Sequence, residues 1–446
     1  MKVMKFGGTS LADATRMKNV ATIVCGGEPV LVVLSAIAGT TDMLHQMASN
    51  IKKGEAAEAL QCIEKLNTHY HSFVQSLFAD SDTAGNEFFI RANAFLSQQF
   101  EQLQELVQQK YVPALGYHLM ARGEMMSTEL FYLYLQFQQH PVALINALDF
   151  LRLTRQGIPD EDYLSEQLNQ QIQQNDNTRV FITQGYICRN AFGEISNLKR
   201  GGSDYSASLF GAAINADEIQ IWTDIDGMHN NDPRFVEGTH PIRDLSFDEA
   251  AELAYFGAKI LHPASIKPAR RKNIAVKLLN TLQPEARGTL ISSQTTQARI
   301  KAIAAKDGIT AIKIRSSDML QAQGFLRRIF EVFELYQTSI DMITTSEVAV
   351  SVTIDDENNL SPIFDTLKEF GHVEVDKNLS IICVVGDFVV DNKGIAAQVI
   401  QSLEDIPLRM ISYGGSAHNI SLLVAETDKK SALNLLNKGL FNVERK

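Results

Sequence analysis

An α/β fold built on a buried parallel sheet, followed by two smaller βαββαβ units, is what this sequence of 446 residues predicts. Three observations carry it. Continuous apolar runs that turn at glycine into helices recur, first at 3–6 and again at 29–35 (PVLVVLS), and such runs mean strands buried on both faces of a parallel sheet. The texture then changes after Asn280, where 287–297 is polar and rich in Thr and Ser, a linker by composition. Beyond it, one strand–helix–strand–strand–helix–strand pattern is written twice, which is ferredoxin-like.

The bulk numbers agree with this division. At roughly 150 residues per domain the length allows about three domains. The chain is 45% hydrophobic and 21% charged, with a formal net charge of -11 and no Lys/Arg block. That balance argues against nucleic-acid or membrane-surface binding, which needs a basic footprint, and favours small ligands. Cys25, Cys62, Cys188 and Cys383 are far apart and read as core thiols of a reducing compartment rather than a disulfide framework or metal site. The first residues contain no apolar leader core, and no run of about 18 apolar residues follows, so a cytoplasmic protein is expected.

In order, the strand at 3–6 runs into Gly7-Gly8-Thr9-Ser10 and a helix with Asp13 in its first turn. The strand at 29–35 leads through 36–42 to a second helix. Residues 56–109, rich in Glu, Gln, Leu and Ala, read as a helical insert with solvated faces. A further helix is expected to start at Arg122, with Glu124 in its first turn, where an acid suits the dipole. Strands are expected at 141–146, 179–187 and 218–225. The last opens into Asp224-Ile225-Asp226-Gly227 and Asp232-Pro233-Arg234, a polar loop off a strand's C-terminal end, where open parallel sheets keep ligands. A helix at 246–256, the block 257–263, another helix and a strand at 274–279 complete this part.

Gly201-Gly202-Ser203-Asp204, behind Lys199 and Arg200, is a loop-to-helix junction. Its glycines allow close backbone approach, and its helix start favours an anion. Asp204 would repel a phosphate unless a cation stood between them.

In the C-terminal part the first copy reads as strand 309–314, helix 317–336, strands 339–344 and 348–354, helix 360–371 and strand 372–375. The second reads as strand 379–385, helix 394–403, strands 408–412 and 420–425, and helix 429–440. This second copy lacks one strand, and 299–305 is the spare candidate, which would insert the first copy within the second.

Neither a Walker loop nor a Rossmann or protein-kinase glycine loop occurs, and His-Glu-x-x-His and Gly-x-Ser-x-Gly are absent. Yet Lys5 with Gly7-Gly8-Thr9-Ser10, Ser35 with Gly39-Thr40-Thr41, and Arg200 with Gly201-Gly202-Ser203-Asp204 supply cations, hydroxyls and glycine turns. Phosphoryl transfer needs that inventory, because it is catalysed by positioning and charge neutralisation.

Lys5-Phe6-Gly7-Gly8-Thr9-Ser10, 200–205 (RGGSDY), 222–227 (WTDIDG) with Asp232-Pro233-Arg234, and 257–263 (GAKILHP) closely resemble the signature blocks of the aspartate kinases, in the family's order and spacing. The paired C-terminal repeats look like its tandem ACT domains. The resemblance spans essentially the whole chain and is closest to the lysine-sensitive class. It implies an amino-acid-kinase domain over 1–288, a first ACT domain over 306–378, and a discontinuous second one made of 299–305 and 379–446. It also implies phosphorylation of the side-chain carboxylate of L-aspartate by ATP, with Mg2+ held mainly through the ATP phosphates and no metal site of the protein's own.

By the same resemblance Lys5 neutralises the transferring group and Asp204 is the catalytic aspartate, orienting the lysine or metal rather than removing a proton. Arg200 would take the substrate's α-carboxylate and Glu124 its ammonium group. Ser35, Thr41, Tyr186 and Ser203 match substrate-contacting positions. Lys5, Gly7, Gly8, Thr223, Asp224, His229, Arg234 and Lys259 match the nucleotide side. Met319, Gly324, Phe325, Leu326, Ser339, Asp341, Thr345, Ser346 and Glu347 resemble an effector pocket in which Asp341 or Glu347 could meet an ammonium group, L-lysine being the expected effector. As strand-end residues these two acids also fit plain surface charges.

The chain departs from the family pattern at Lys199, where close relatives have Gly, at His229, where many have Tyr, and at Ala322, where a hydroxyl is expected. With no segment after the second repeat, a monofunctional kinase is expected, acting as a homodimer through its ACT domains. A kinase for another acidic amino acid such as glutamate, or a catalytically silent amino-acid sensor, are the alternatives the sequence leaves.

Overall fold

The computed structural model describes residues 1–79, 87–175, 177–198, 201–257, 262–294, 300–319, 323–387 and 393–441. Contacts divide the chain into two units. One is Met1–Met228 with Arg243–Phe247 and Leu261–Thr295; the other is His229–Ile242 with Asp248–Ile260 and Thr296–Lys446.

The N-terminal elements are β1 (Lys2–Phe6), α1 (Ala14–Val24), β2 (Val30–Leu34), α2 (Thr40–Lys53), α3 (Ala56–Leu77), α4 (Glu87–Val107), α5 (Pro113–Phe137), β3 (Val142–Leu144), α6 (Ala147–Phe150) and α7 (Glu161–Gln173). They are followed by β4 (Val180–Gln184), β5 (Ile187–Arg189), β6 (Ile195–Asn197), α8 (Gly202–Ala213), β7 (Ile219–Thr223), β8 (Asp244–Ser246), α9 (Phe247–Tyr255), α10 (Lys267–Lys272), β9 (Val276–Asn280) and β10 (Thr289–Ser292). Eight strands form one sheet in the order β3-β4-β2-β1-β7-β9-β10-β8. Its pairings are parallel except β9 with β10. Every residue of β2 and of β4 is buried, as strands covered on both faces require.

The helical stretch after β2 becomes α3, α4 and α5, whose apolar faces share one core through Leu66, Tyr70, Phe100 and Leu130. Here one expectation fails: the helix expected to start at Arg122 starts at Pro113, with proline in its first turn. Proline there loses only an amide that would lack a partner anyway. Glu124 is therefore in mid-helix, and the dipole explanation for it falls. The expected strand at 179–187 breaks at Gly185–Tyr186 into β4 and β5, with Tyr186 at φ 66.

In the second unit β11 (Ile300–Arg315), α11 (Phe325–Leu335), β12 (Ile343–Thr345), β13 (Ala349–Ile354), α12 (Leu360–Leu367), β14 (His372–Gly386), α13 (Ile395–Gln401), β15 (Met410–Tyr413), β16 (Asn419–Ala425) and α14 (Lys429–Leu440) follow one another. Six strands form a sheet in the order β12-β13-β11-β14-β16-β15. The segments expected as four separate strands merge into two long ones. Residues 300–306 of β11 pair with 381–386 of β14, and 309–315 with 372–379, with register shifts between Lys306 and Ala311 absorbing the irregularity. A bulge lets a strand bend without ending, which is why turn-like residues at 306–308 did not terminate it. The helix expected over 317–336 begins only at Phe325, behind Gly324 at φ 81. Two apolar clusters result, one around Ile329, Val352 and Ile363, the other around Val399, Leu422 and Leu436.

Candidate active site

Because β1, β2, β4 and β7 are parallel neighbours, Phe6, Leu34, Gln184 and Thr223 end at one edge of the sheet, the edge where such sheets hold ligands. Lys5 lies one residue short of that edge, in register with Val33 and Ile221. Its Nζ is 2.6 Å from Asp204 Oδ1, and the two side chains are only 12% and 18% exposed. A charge-assisted contact so shielded from water is held more firmly than a surface pair.

Asp204 is positioned by the start of α8. Gly201 has φ 75, and a side chain there would run into Ser265 Oγ at 2.4 Å, so the turn requires glycine on both counts. The helix start carries Asp204 in its first turn and has no side-chain cap. Ser35, directly after β2, donates from Oγ to Ser203 Oγ at 2.9 Å. Gly185 presses on the same residue: a Cβ there would lie 2.4 Å from Ser203 Cβ. Ser206 Oγ accepts the Tyr186 amide at 2.8 Å, which holds the left-handed turn of Tyr186 against α8.

Glu124 is buried in α5, 5% exposed. Burial pushes its carboxyl up to about 8, against the lowering effect of its own and the Ala36 amides and of the Lys5 charge. Ser127, one turn on, donates to the Ser35 carbonyl at 2.7 Å. Thr41 is exposed in the first turn of α2, whereas its neighbour Thr40 is buried and bonded to Tyr70 Oη at 3.1 Å. Gly7 donates its amide to the Trp222 carbonyl at 3.4 Å, and Gly8 starts a short 3-10 turn.

Of the nucleotide-side residues, Thr223 and Asp224 belong to the first unit. Thr223 Oγ1 donates to Asp224 Oδ1 at 3.0 Å, and its carbonyl accepts from Thr281 Oγ1 at 2.7 Å. His229 and Arg234 belong to the second unit. There His229 Nδ1 and Thr239 Oγ1 lie 3.1 Å apart, and the exposed Arg234 forks onto Asp232 with Nε–Oδ1 2.9 Å and Nη2–Oδ2 2.6 Å. Val236 of the same loop is buried in the cluster of Val399 and Leu436. Lys199, Arg200, Lys259 and Ala322 lie outside the described residues. Lys5, Ser35, Ser203 and Asp204 thus converge with Glu124 and Tyr186, while His229 and Arg234 form a separate set.

Among the effector-pocket residues, Phe325 is buried in the core around Ile329 and Val352, with Met319 and Leu326 packed against it. Ser339, Thr345, Ser346 and Glu347 are exposed. Asp341 is not a surface charge: its side chain is 1% exposed, and Oδ1 accepts from Lys306 Nζ at 2.8 Å and from Tyr255 Oη at 2.9 Å.

Sequence reasoning missed Gly185, Ser127, Ser206 and Thr281, which hold the site residues without belonging to a motif. The Gly-Tyr pair inside an apolar run was the available sign of a break.

The fold and this edge define an amino acid kinase, and a model of the amino acid kinase family matches residues 1–280, with an ACT domain matched at 382–440. Lysine-sensitive aspartokinase 3 of Escherichia coli is 34% identical over 98% of this chain and 99% of its own. Two crystal structures of E. coli aspartokinase III match at 32% identity over 99% of this chain. The complex with aspartate and ADP (R-state) has a TM-score of 0.83 and is covered in full; the complex with lysine and aspartate (T-state) has 0.79 and is 99% covered. The chain belongs to the aspartokinases.

Proposed function

We propose that this chain transfers the γ-phosphoryl group of ATP to the side-chain carboxylate of L-aspartate, giving 4-phospho-L-aspartate and ADP, as the first step of lysine, threonine and methionine synthesis. The observation that carries the reading is the shielded Lys5–Asp204 pair at the sheet edge, in a chain that belongs to the aspartokinases. In the transfer an oxygen of the substrate carboxylate forms a bond to the γ-phosphorus as the bond to the β,γ-bridging oxygen breaks. The attacking group is already an anion, so no base is needed, and charge neutralisation is the main task. Lys5 supplies it. Asp204 holds the Lys5 ammonium in place.

Glu124 suits an ammonium ligand because its carboxyl, raised to about 8 by burial, gains most from a cation brought beside it. Ser35, Thr41, Tyr186, Ser203 and Arg200 complete the aspartate side. Gly7, Gly8, Thr223, Asp224, His229, Arg234 and Lys259 take the nucleotide. Mg2+ is assigned to the ATP phosphates, on the resemblance to the aspartate kinases. Glutamate kinase and silent-sensor readings are not favoured by the family membership.

The kinase domain is assigned to 1–288, the first ACT domain to 306–378 and the second to 299–305 with 379–446. L-Lysine is the proposed effector, bound among Met319, Gly324, Phe325, Leu326, Ser339, Asp341, Thr345, Ser346 and Glu347. This rests on the ACT match and on the lysine sensitivity of the E. coli relative. A homodimer through the ACT domains, in the cytoplasm, is part of the same reading; among the described residues no helix is long and apolar enough to cross a membrane. ATP-dependent hydroxamate formation tests the reaction: a signal with aspartate well above that with glutamate is expected, and no aspartate signal would end it.

A further inference from the structure

The second unit holds one helix that the kinase blocks bring in and the regulatory sheet binds. Along a single stripe of α9, residues at 249, 252 and 255 each reach a partner elsewhere in the unit, a spacing that keeps them on one helix face. Glu249 meets Lys301 of β11 at 2.8 Å, both fully buried. Glu252 accepts from Ser416 Oγ at 2.8 Å and from Asn419 Nδ2 at 2.6 Å. Tyr255 donates to Asp341 at 2.9 Å. The first two anchors go to framework residues of the sheet, whereas the third ends on a residue of the proposed effector pocket.

Asp341 is thus covered before any ligand arrives, its side chain 1% exposed and its Oδ2 buried without a hydrogen-bond partner, so a ligand reaches the carboxylate only by displacing a group that covers it. Its Oδ1 takes both Lys306 Nζ and Tyr255 Oη, and Lys306 has a second carboxylate, Asp355, at 2.7 Å. If Asp341 turned to another cation, Lys306 would keep a partner and the Tyr255 hydroxyl would lose its own. Burial, with the adjoining carboxylates, holds the Tyr255 hydroxyl above the ordinary phenol range, so it stays a donor. The Lys306 ammonium sits 4.8 Å from the centre of the same ring, at cation–π distance.

We propose that Tyr255 competes with the effector for Asp341, so that an amino acid with a side-chain ammonium group binds at the expense of the α9 contact. The inference rests on the reading of the ACT pocket given above. Two events that exclude each other are negatively linked, and each opposes the other by the same factor. Because Glu249 and Glu252 keep their partners, losing the Tyr255 bond loosens only the last turn of α9. That turn leads in sequence to Gly257 and Lys259, so pocket occupancy is read out at the end of the helix rather than through the whole unit.

Tyr255→Phe in the full chain tests this, since it removes one exposed hydroxyl and leaves the ring. A hydrogen bond to a charged acceptor is worth more than a neutral one but is discounted here by exposure, so the Kd for L-lysine by calorimetry should fall about fivefold. The half-inhibitory lysine concentration should fall in parallel, with kcat in the absence of lysine unchanged to within about twofold. In an Asp341→Asn background the same substitution should have no effect on lysine binding. An unchanged or weaker lysine affinity in Tyr255→Phe, beside a wild-type chain that binds lysine, overturns the competition and leaves the effector reading intact. A wild-type chain that binds no lysine brings down the effector reading, and the competition with it.

Discussion

The residues proposed for aspartate and those proposed for the nucleotide are held differently. The proposed catalytic and aspartate residues grow out of the parallel sheet: Lys5, Ser35, Ser203 and Asp204 sit on strand ends and one helix start and are bonded in pairs, Lys5 to Asp204 and Ser35 to Ser203, within the first unit. On the nucleotide side Gly7, Gly8, Thr223 and Asp224 also lie at or just past strand ends of the first unit. His229 and Arg234 lie in a loop of the second unit, whose Val236 is buried in the core around Val399 and whose Asn231 donates to the Leu433 carbonyl at 3.2 Å. A side chain on a packed strand end has little freedom to move, and a loop embedded in a regulatory unit shares whatever that unit does. On the proposed reading the chemistry falls to the first set, while the second set is held by the packing of its own unit.

Lys5→Ala should cut deepest, because it removes charge neutralisation at the transferring group: kcat falls about 10²- to 10³-fold with a much smaller rise in either KM. A change confined to KM would place Lys5 in ground-state binding and break the division. Gly185→Ala comes next. Its Cβ would need the space of Ser203 Cβ at 2.4 Å, and overpacking of this kind costs about 1–3 kcal/mol; a lower Tm is expected together with a loss of activity larger than the loss of folded protein explains. Unchanged Tm and activity would mean that the start of α8 is not fixed by the sheet.

Glu124 sharpens the comparison through pH. Its folded pKa of about 8 lies above the ordinary 4.5. Between those values the unfolded chain has lost the proton while the folded chain retains it, so stability falls as pH rises from about 4.5 and levels off above about 8. Glu124→Gln should flatten that slope in a pH series of denaturant midpoints. Binding of the aspartate ammonium favours the ionised form, so aspartate affinity should rise with pH up to about 8, by at most roughly tenfold per unit. Glu124→Gln should abolish this trend; a trend that survives the substitution belongs to another group.

The smallest effect is expected at Arg234. Its guanidinium is already forked onto Asp232 and is exposed, and exposed pairs carry little energy. Arg234→Ala should raise the KM for ATP only about two- to fivefold, leaving the KM for aspartate alone. A drop in kcat like that of Lys5→Ala would erase the distinction between the two sides.

Much of this was legible in the chain. The apolar run of β2 and the glycine turns announced the parallel sheet, and two of the signature blocks contained Lys5, Ser203 and Asp204, which meet at its edge. What stayed hidden was set by distant contacts. Glu124 looked like a first-turn acid because the helix expected to start at Arg122 starts at Pro113. Lys306 and Asp307 looked like a break between strands, yet a bulge carries β11 through them. Asp341 was expected in an effector pocket or as a plain surface charge, and only the fold brings Tyr255, 86 residues away, onto it.

The most direct test is the identity of the acceptor oxygen. Incubation with aspartate and ATP, followed by borohydride reduction of the acyl phosphate, should give homoserine, the product of a phosphorylated side-chain carboxylate. Recovery of 3-amino-4-hydroxybutyrate would show transfer to the α-carboxylate, and recovery of neither amino alcohol would contradict acyl-phosphate formation itself.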